Sequence, residues 1–150
     1  AGGAGIAARE LHLKCMHLGL NANAFLDSQM QLMSAASITA ADVGIAISHT
    51  GQQRQVAEAL ALAREGGATT VALTSFPASP VGRAADLVLS TASLAAAISY
   101  DSPTVRSAQL AIVDVMYEAM LLRAAETSRE KMARVARAIL QNTARPGLRT

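Results

Sequence analysis

Three short apolar runs constrain this chain more than any other feature: Asp42-Val43-Gly44-Ile45-Ala46-Ile47, Thr69-Thr70-Val71-Ala72-Leu73-Thr74 and Asp86-Leu87-Val88-Leu89. None alternates apolar with polar residues, and each ends in small polar ones. Strands buried on both faces of a parallel sheet read this way, because neither face meets water. Asn21–Leu26 is a fourth strand candidate. Helical patterns fill the gaps. Ile6–Leu18 enters from Gly2-Gly3-Ala4-Gly5, and Gln53–Glu65 places Val56, Ala59, Leu60 and Ala63 on one face before Gly66-Gly67 stops it. Pro80 suits the first turn of a short helix to Ala85. Ser102-Pro103 opens a long apolar-striped helix to Leu122, and a basic helix covers Arg129 to Leu140.

Alternating strands and helices at this spacing predict an α/β fold, a doubly wound, flavodoxin-like parallel sheet with helices on both faces. A Gly-rich turn such as Gly2–Gly5 ordinarily follows a strand, so the first strand of the sheet is expected to be missing from this chain. One domain over 1–143 and a loose tail over 144–150, opened by Pro146-Gly147, complete the expected organisation.

Composition narrows the class. With 51% hydrophobic residues the chain can bury a real core, yet aromatics make up only 3% and Trp is absent. Residues 1–122 carry six Lys/Arg against nine Asp/Glu, whereas residues 123–150 carry seven against two. The basic end reads as a solvated helix face, and without interleaved aromatics it is no stacking platform for single strands. The lone Cys15 excludes an internal disulfide and fits a reducing compartment. No signal segment and no apolar run of about 18 residues occurs, so a cytoplasmic protein with no membrane contact is expected.

The chemistry concentrates after the first apolar run, in Ser48-His49-Thr50-Gly51-Gln52-Gln53, which leads directly into a helix. Ligands of open α/β sheets bind where loops leave the carboxyl ends of strands. Amides at a helix N-terminus are donors without intrahelical partners at the positive end of the dipole, a natural seat for phosphate. Ser48 and Thr50 add hydroxyls, Gly51 lets the backbone approach, and Gln53 adds a neutral donor. The plainer reading is that Ser48 and Thr50 merely cap the helix. His49 is either a general acid/base or an exposed loop residue, and with no carboxylate partner nearby in sequence it reads as the latter. His12 and His17 are five apart, unlike a helical metal pair, so no metal and no cofactor is assigned.

These segments together resemble a sugar isomerase (SIS) domain, in particular the C-terminal effector domain of RpiR/MurR-type bacterial transcriptional regulators. The matching residues are Ala8–Lys14 after the Gly-rich turn, Asp42–Gly51, Ala63–Thr74, Ser79-Pro80 through Leu89, and Arg106–Leu110 with Asp114. They span roughly residues 1–123. The resemblance implies a domain that senses a phosphorylated sugar, with DNA bound through an N-terminal helix-turn-helix absent from this chain. It also implies a homodimer or homotetramer, for which the Ser102–Leu122 helix is a candidate interface if it does not simply pack on the sheet. The candidate phosphate-binding residues are Ser48, His49, Thr50, Gly51 and Gln53, with Ala4 from the Gly-rich turn.

The sequence departs from the family pattern at informative places. A serine usually follows the first Gly-rich turn, where Ala4 stands. The phosphate turn usually reads Ser-x-Ser-Gly-x-Thr and then Glu, where this chain has Thr50, Gln53 and Gln55. Related domains often carry a Glu after the third strand, but here Leu94-Ala95-Ala96-Ala97 occurs, with Asp101 the nearest acid. These changes touch proton transfer more than binding, so a regulatory domain rather than an enzyme is expected, with no catalytic residue assigned. The alternatives are a phosphosugar isomerase using His49 or Asp101, and a degenerate domain that has lost its ligand.

Overall fold

The computed structural model describes residues 3–91, 103–127 and 129–143. The elements in chain order are α1 (Gly3–His17), α2 (Ser28–Ser37), β1 (Val43–Ile47), α3 (Arg54–Glu65), β2 (Thr69–Thr74), α4 (Pro80–Ala84), β3 (Leu87–Ser90), α5 (Pro103–Thr127) and α6 (Arg129–Thr143). The three strands form a parallel sheet in the order β1-β2-β3 among the described residues. Ala46 pairs with Ala72, which pairs with Val88, and Ile47 pairs with Leu73, which pairs with Leu89.

That register sorts the two faces of the sheet, because neighbouring residues of a strand point to opposite sides. Ala46 and Ala72 pack with Leu60 of α3 and Val81 of α4. Leu73, with Ile47 and Leu89, packs instead against Ala7 and Leu11 of α1 and Val113 of α5. Helices therefore cover both faces, as the unalternating strands require. The small Ala46 and Ala72 let α3 and α4 approach closely, while the larger Ile47, Leu73 and Leu89 fill the α1–α5 side. Outside these layers α2 packs on α3 through Ala35, Ala59 and Ala63.

Several expectations are corrected. Asn21–Leu26 forms no strand: a strand needs a ladder, and no described strand pairs with it. It leads instead into α2, which the sequence patterns did not reveal, and whose first amides, Gln29 N–H and Met30 N–H, donate to the Asp27 carboxylate. Gly3, Ala4 and Gly5 of the expected Gly-rich turn are helical rather than a loop. The helix begins at Gly3, so Ala4 and Gly5 lie in its first turn, and Gly5 and Ala7 are buried where bulkier side chains would hold α1 away. The long apolar helix packs Leu110, Val113, Met116 and Met120 against α1 and the sheet, whereas Val115 and Leu122 face outward. The expected tail at 144–150 and the Leu94–Asp101 stretch lie outside the described residues.

Opposite ends of the sheet are held by different chemistry. At the amino end, Asp86 accepts hydrogen bonds from the Thr70 backbone N–H at 2.9 Å and the Thr70 hydroxyl at 2.7 Å. Arg64, at the end of α3, reaches the other carboxylate oxygen at 2.8 Å. Along the α1–α5 contact, Lys14 pairs with Asp114 at 3.0 Å and lies over the Tyr117 ring. At the carboxyl end the described residues that follow the strands present hydroxyls, amides and the His49 imidazole, with the Arg54–Glu58 pair at the start of α3.

Candidate functional site

The turn after β1 is built by backbone bonds that fix its path. Ser48 N–H donates to the Leu73 carbonyl at 3.0 Å, carrying the β1–β2 ladder one residue beyond the strand. The His49 carbonyl then accepts from Ser75 N–H at 3.0 Å and from the Thr74 hydroxyl at 3.0 Å. Gly51 carries φ +63 and is buried against Ser79. A Cβ there would collide with the Ser79 hydroxyl, so the residue must be glycine for both space and conformation. The Gly51 carbonyl accepts from Val81 N–H at 3.1 Å, which stitches the turn to the start of α4.

The side chains occupy distinct positions. Ser48 is 3% exposed, and its Oγ accepts from Gly51 N–H at 3.2 Å. A serine hydroxyl can accept and donate together, so its proton remains available to a ligand. Thr50 Oγ1 receives only a long 3.4 Å contact from Gln52 N–H. Neither hydroxyl caps α3. The N-cap residue is Gln53, in extended conformation, and its side chain makes no capping bond. The plainer reading of these residues as helix caps does not hold, since each hydroxyl oxygen accepts from an amide of the loop and not from one of α3. Among the described residues the first-turn amides of α3 have no side-chain acceptor, and such donors are satisfied by water or by an anion.

His49 is not the exposed loop residue expected. It is half-buried, with Nδ1 2.8 Å from Ser75 Oγ and its ring 5.8 Å from that of Phe76. Its Nε2 is buried without a hydrogen-bond partner among the described residues. Ser75 Oγ in turn lies 2.6 Å from Thr91 Oγ1, and the Thr91 side of the pair is fixed by Thr91 N–H donating to the Thr74 carbonyl at 3.2 Å. Ser48, His49, Thr50, Gly51 and Gln53 are thus brought together by one turn. Ala4 lies apart in sequence, in the first turn of α1, with no hydrogen bond to that turn.

Sequence reasoning missed Ser75, Ser79, Thr91 and Arg54. Ser75 and Thr91 share the signal noted for the strands, a small polar residue at the carboxyl end, whereas Ser79 caps α4 ahead of Pro80. Arg54 opens α3 and pairs with Glu58 at 2.6 Å, and that carboxylate raises the pKa of the guanidinium. A cation at a helix N-terminus opposes the helix dipole. The placement becomes favourable once an anion sits on the same amides.

Comparison with known proteins agrees with this architecture. The SIS domain family model matches residues 1–119, and the chain belongs to that family. An HTH-type transcriptional regulator of Caldanaerobacter subterraneus subsp. tengcongensis is 34% identical over 113 residues, covering 75% of this chain and 40% of that protein. One from Haemophilus influenzae is 35% identical over 125 residues, covering 83% of this chain and 43% of the relative. The chain thus spans less than half the length of these curated relatives. Among solved structures, the RpiR transcription factor sugar isomerase domain from Sphaerobacter thermophilus superposes with a TM-score of 0.75 at 25% identity, covering 93% of this chain and 74% of that one. The Vibrio vulnificus NanR protein complexed with ManNAc-6P superposes with a TM-score of 0.83 at 24% identity, over 97% of this chain and 55% of that one. The latter likeness is one of fold.

Proposed function

We propose that this SIS domain is the effector-binding part of a bacterial RpiR-type transcriptional regulator, and that the effector is a phosphorylated sugar. The observation that carries the reading is the uncapped start of α3 behind the Ser48–Gln53 turn. Its amides, the Ser48 proton, the Thr50 hydroxyl and the Gln53 amide form a set of donors matched to a phosphate oxygen cluster. Arg54 adds the balancing charge by leaving Glu58. The regulators named above supply the context, and DNA would be bound by a helix-turn-helix outside this chain. NanR was solved with ManNAc-6P, which makes an N-acetylated hexosamine 6-phosphate a sensible first probe.

An isomerase would need a group to move a proton between adjacent sugar carbons. His49 meets hydroxyls rather than a carboxylate, and Asp101 lies outside the described residues. Binding without turnover is the reading favoured by that environment. Isothermal titration with a panel of sugar phosphates, the matching free sugars and inorganic phosphate tests it. One phosphorylated sugar should bind more tightly than inorganic phosphate, its free sugar should not bind, and the sugar phosphate should be recovered unchanged. Ser48→Ala should weaken binding roughly tenfold or more, the cost of one charge-assisted hydrogen bond. Tight binding that is indifferent to Ser48, or conversion of the sugar, would refute this assignment.

A further inference from the structure

One chain of side-chain hydrogen bonds ties together the carboxyl ends of all three described strands. It runs from His49 after β1, through Ser75 after β2, to Thr91 after β3. We infer that Ser75 and Thr91 are positioning residues for the phosphate turn, acting through the His49 imidazole. The inference rests on the binding role given above to the 48–53 turn, and extends it to two residues with no place in that site.

A neutral ring has one donor and one acceptor nitrogen, and the partner of one nitrogen fixes the tautomer of both. Here Nε2 has no partner among the described residues, so the ring is anchored by hydrogen bonding at Nδ1 alone. The Phe76 ring beside it gives a tilted aromatic contact that does not select a tautomer. Ser75 therefore fixes the orientation of His49, and the direction in which its hydroxyl points sets which ring nitrogen carries the proton.

Ser75 is itself set from behind. Its hydroxyl has one proton, shared between two candidate acceptors, Nδ1 and Thr91 Oγ1. If Thr91 donates to Ser75, Ser75 donates to Nδ1 and Nε2 carries the proton. If Ser75 donates to Thr91, Nδ1 carries the proton and Nε2 is bare. A buried N–H left without an acceptor is costlier than a bare ring nitrogen, so the second arrangement is favoured, and it holds only while Thr91 Oγ1 accepts the Ser75 proton. Thr91 is 3% exposed, so water does not compete for its hydroxyl.

The consequence for the turn is direct. His49 separates Ser48 from Thr50, and its carbonyl is already held by Ser75 N–H and the Thr74 hydroxyl. A ring held in one rotamer fixes the remaining freedom of the residue between the two phosphate-facing hydroxyls. Loss of the Thr91 hydroxyl, about a dozen residues before α5 and far from the turn in sequence, should loosen that residue without removing any ligand contact.

Nitrogen-15 spectra of the imidazole rings, recorded on the whole chain, test this together with titration of ManNAc-6P and inorganic phosphate. The wild-type His49 ring should show a single tautomer. Thr91→Val, which keeps the shape and removes the hydroxyl, should give a mixture of tautomers and weaken binding by about three- to tenfold. Ser75→Ala should do the same, and Thr91→Ser should restore both properties. Amide spectra of each variant confirm that the sheet is folded. If Thr91→Val leaves the His49 tautomer and the affinities at wild-type values while Ser48→Ala abolishes binding, the positioning role is wrong and the binding site stands. If neither probe nor any other sugar phosphate binds the folded wild type, the binding role falls and the positioning role falls with it.

Discussion

Asp86 illustrates how much one side chain settles in this domain. Its carboxyl is held below the usual carboxylate range, first by the Thr70 backbone N–H, then by the Thr70 hydroxyl, with Arg64 adding a favourable charge. Because the folded form is the more acidic, the stabilisation is complete above the unfolded value of about 3.9 and is lost as pH falls through the lower folded value. Urea unfolding midpoints of the wild type should therefore drop on going from about pH 5 to pH 3 more steeply than those of Asp86→Asn. Parallel profiles would show that the carboxylate is not coupled to folding. His49 makes the complementary point about what a sequence reveals. Its place in a turn between a strand and a helix was legible from Ser48, Thr50 and Gly51. Its burial was not, because its partner Ser75 is 26 residues away and Thr91 lies further on. Hydrogen bonds over such separations leave no local pattern to read.

At the scale of elements, the start of α3 holds a testable conflict between stability and binding. Gln53 occupies the N-cap without capping, and no acid stands in the first turn. Gln53→Asp would supply both the capping oxygen and the negative charge, and should stabilise the free domain by about 1 kcal/mol. The same carboxylate would occupy the amides and repel an anion, so sugar phosphate affinity should collapse as thermal stability rises. A variant that gains stability and still binds would place the ligand elsewhere. Most elements were legible because their apolar spacing is imposed by packing that the structure confirms. The three strands appear within a residue of their expected ends, though only β2 is buried along nearly its whole length, and α3 stops at Gly66 as expected. The failures have physical causes. Asn21–Leu26 has the composition of a strand start but no neighbour to complete a ladder. Ser28–Ser37 lacks a strong apolar stripe, since α2 buries only Ala35 fully and is otherwise recognisable by its Asp27 cap.

Across the whole molecule, the two ends of the sheet divide the work. The amino end is closed by a charged cluster around Asp86, while the carboxyl end presents hydroxyls, amides and one imidazole at the mouths of β1, β2 and β3. Among the described residues no helix is long and apolar enough to cross a membrane. The basic α6 keeps Met132 and Val135 half-buried and its arginines in solvent, which suits a solvated helix face rather than a core element. The proposed function requires the ligand to sit on the turn between β1 and α3. The most direct measurement is the amide chemical-shift response of the whole domain to the sugar phosphate that binds in titration. The largest shifts should fall on Ser48, Thr50, Gly51 and the first-turn amides Arg54, Gln55 and Val56, and they should vanish in Gln53→Asp. Shifts centred on any other surface, with Ser48–Val56 unmoved, would contradict the site and the function drawn from it.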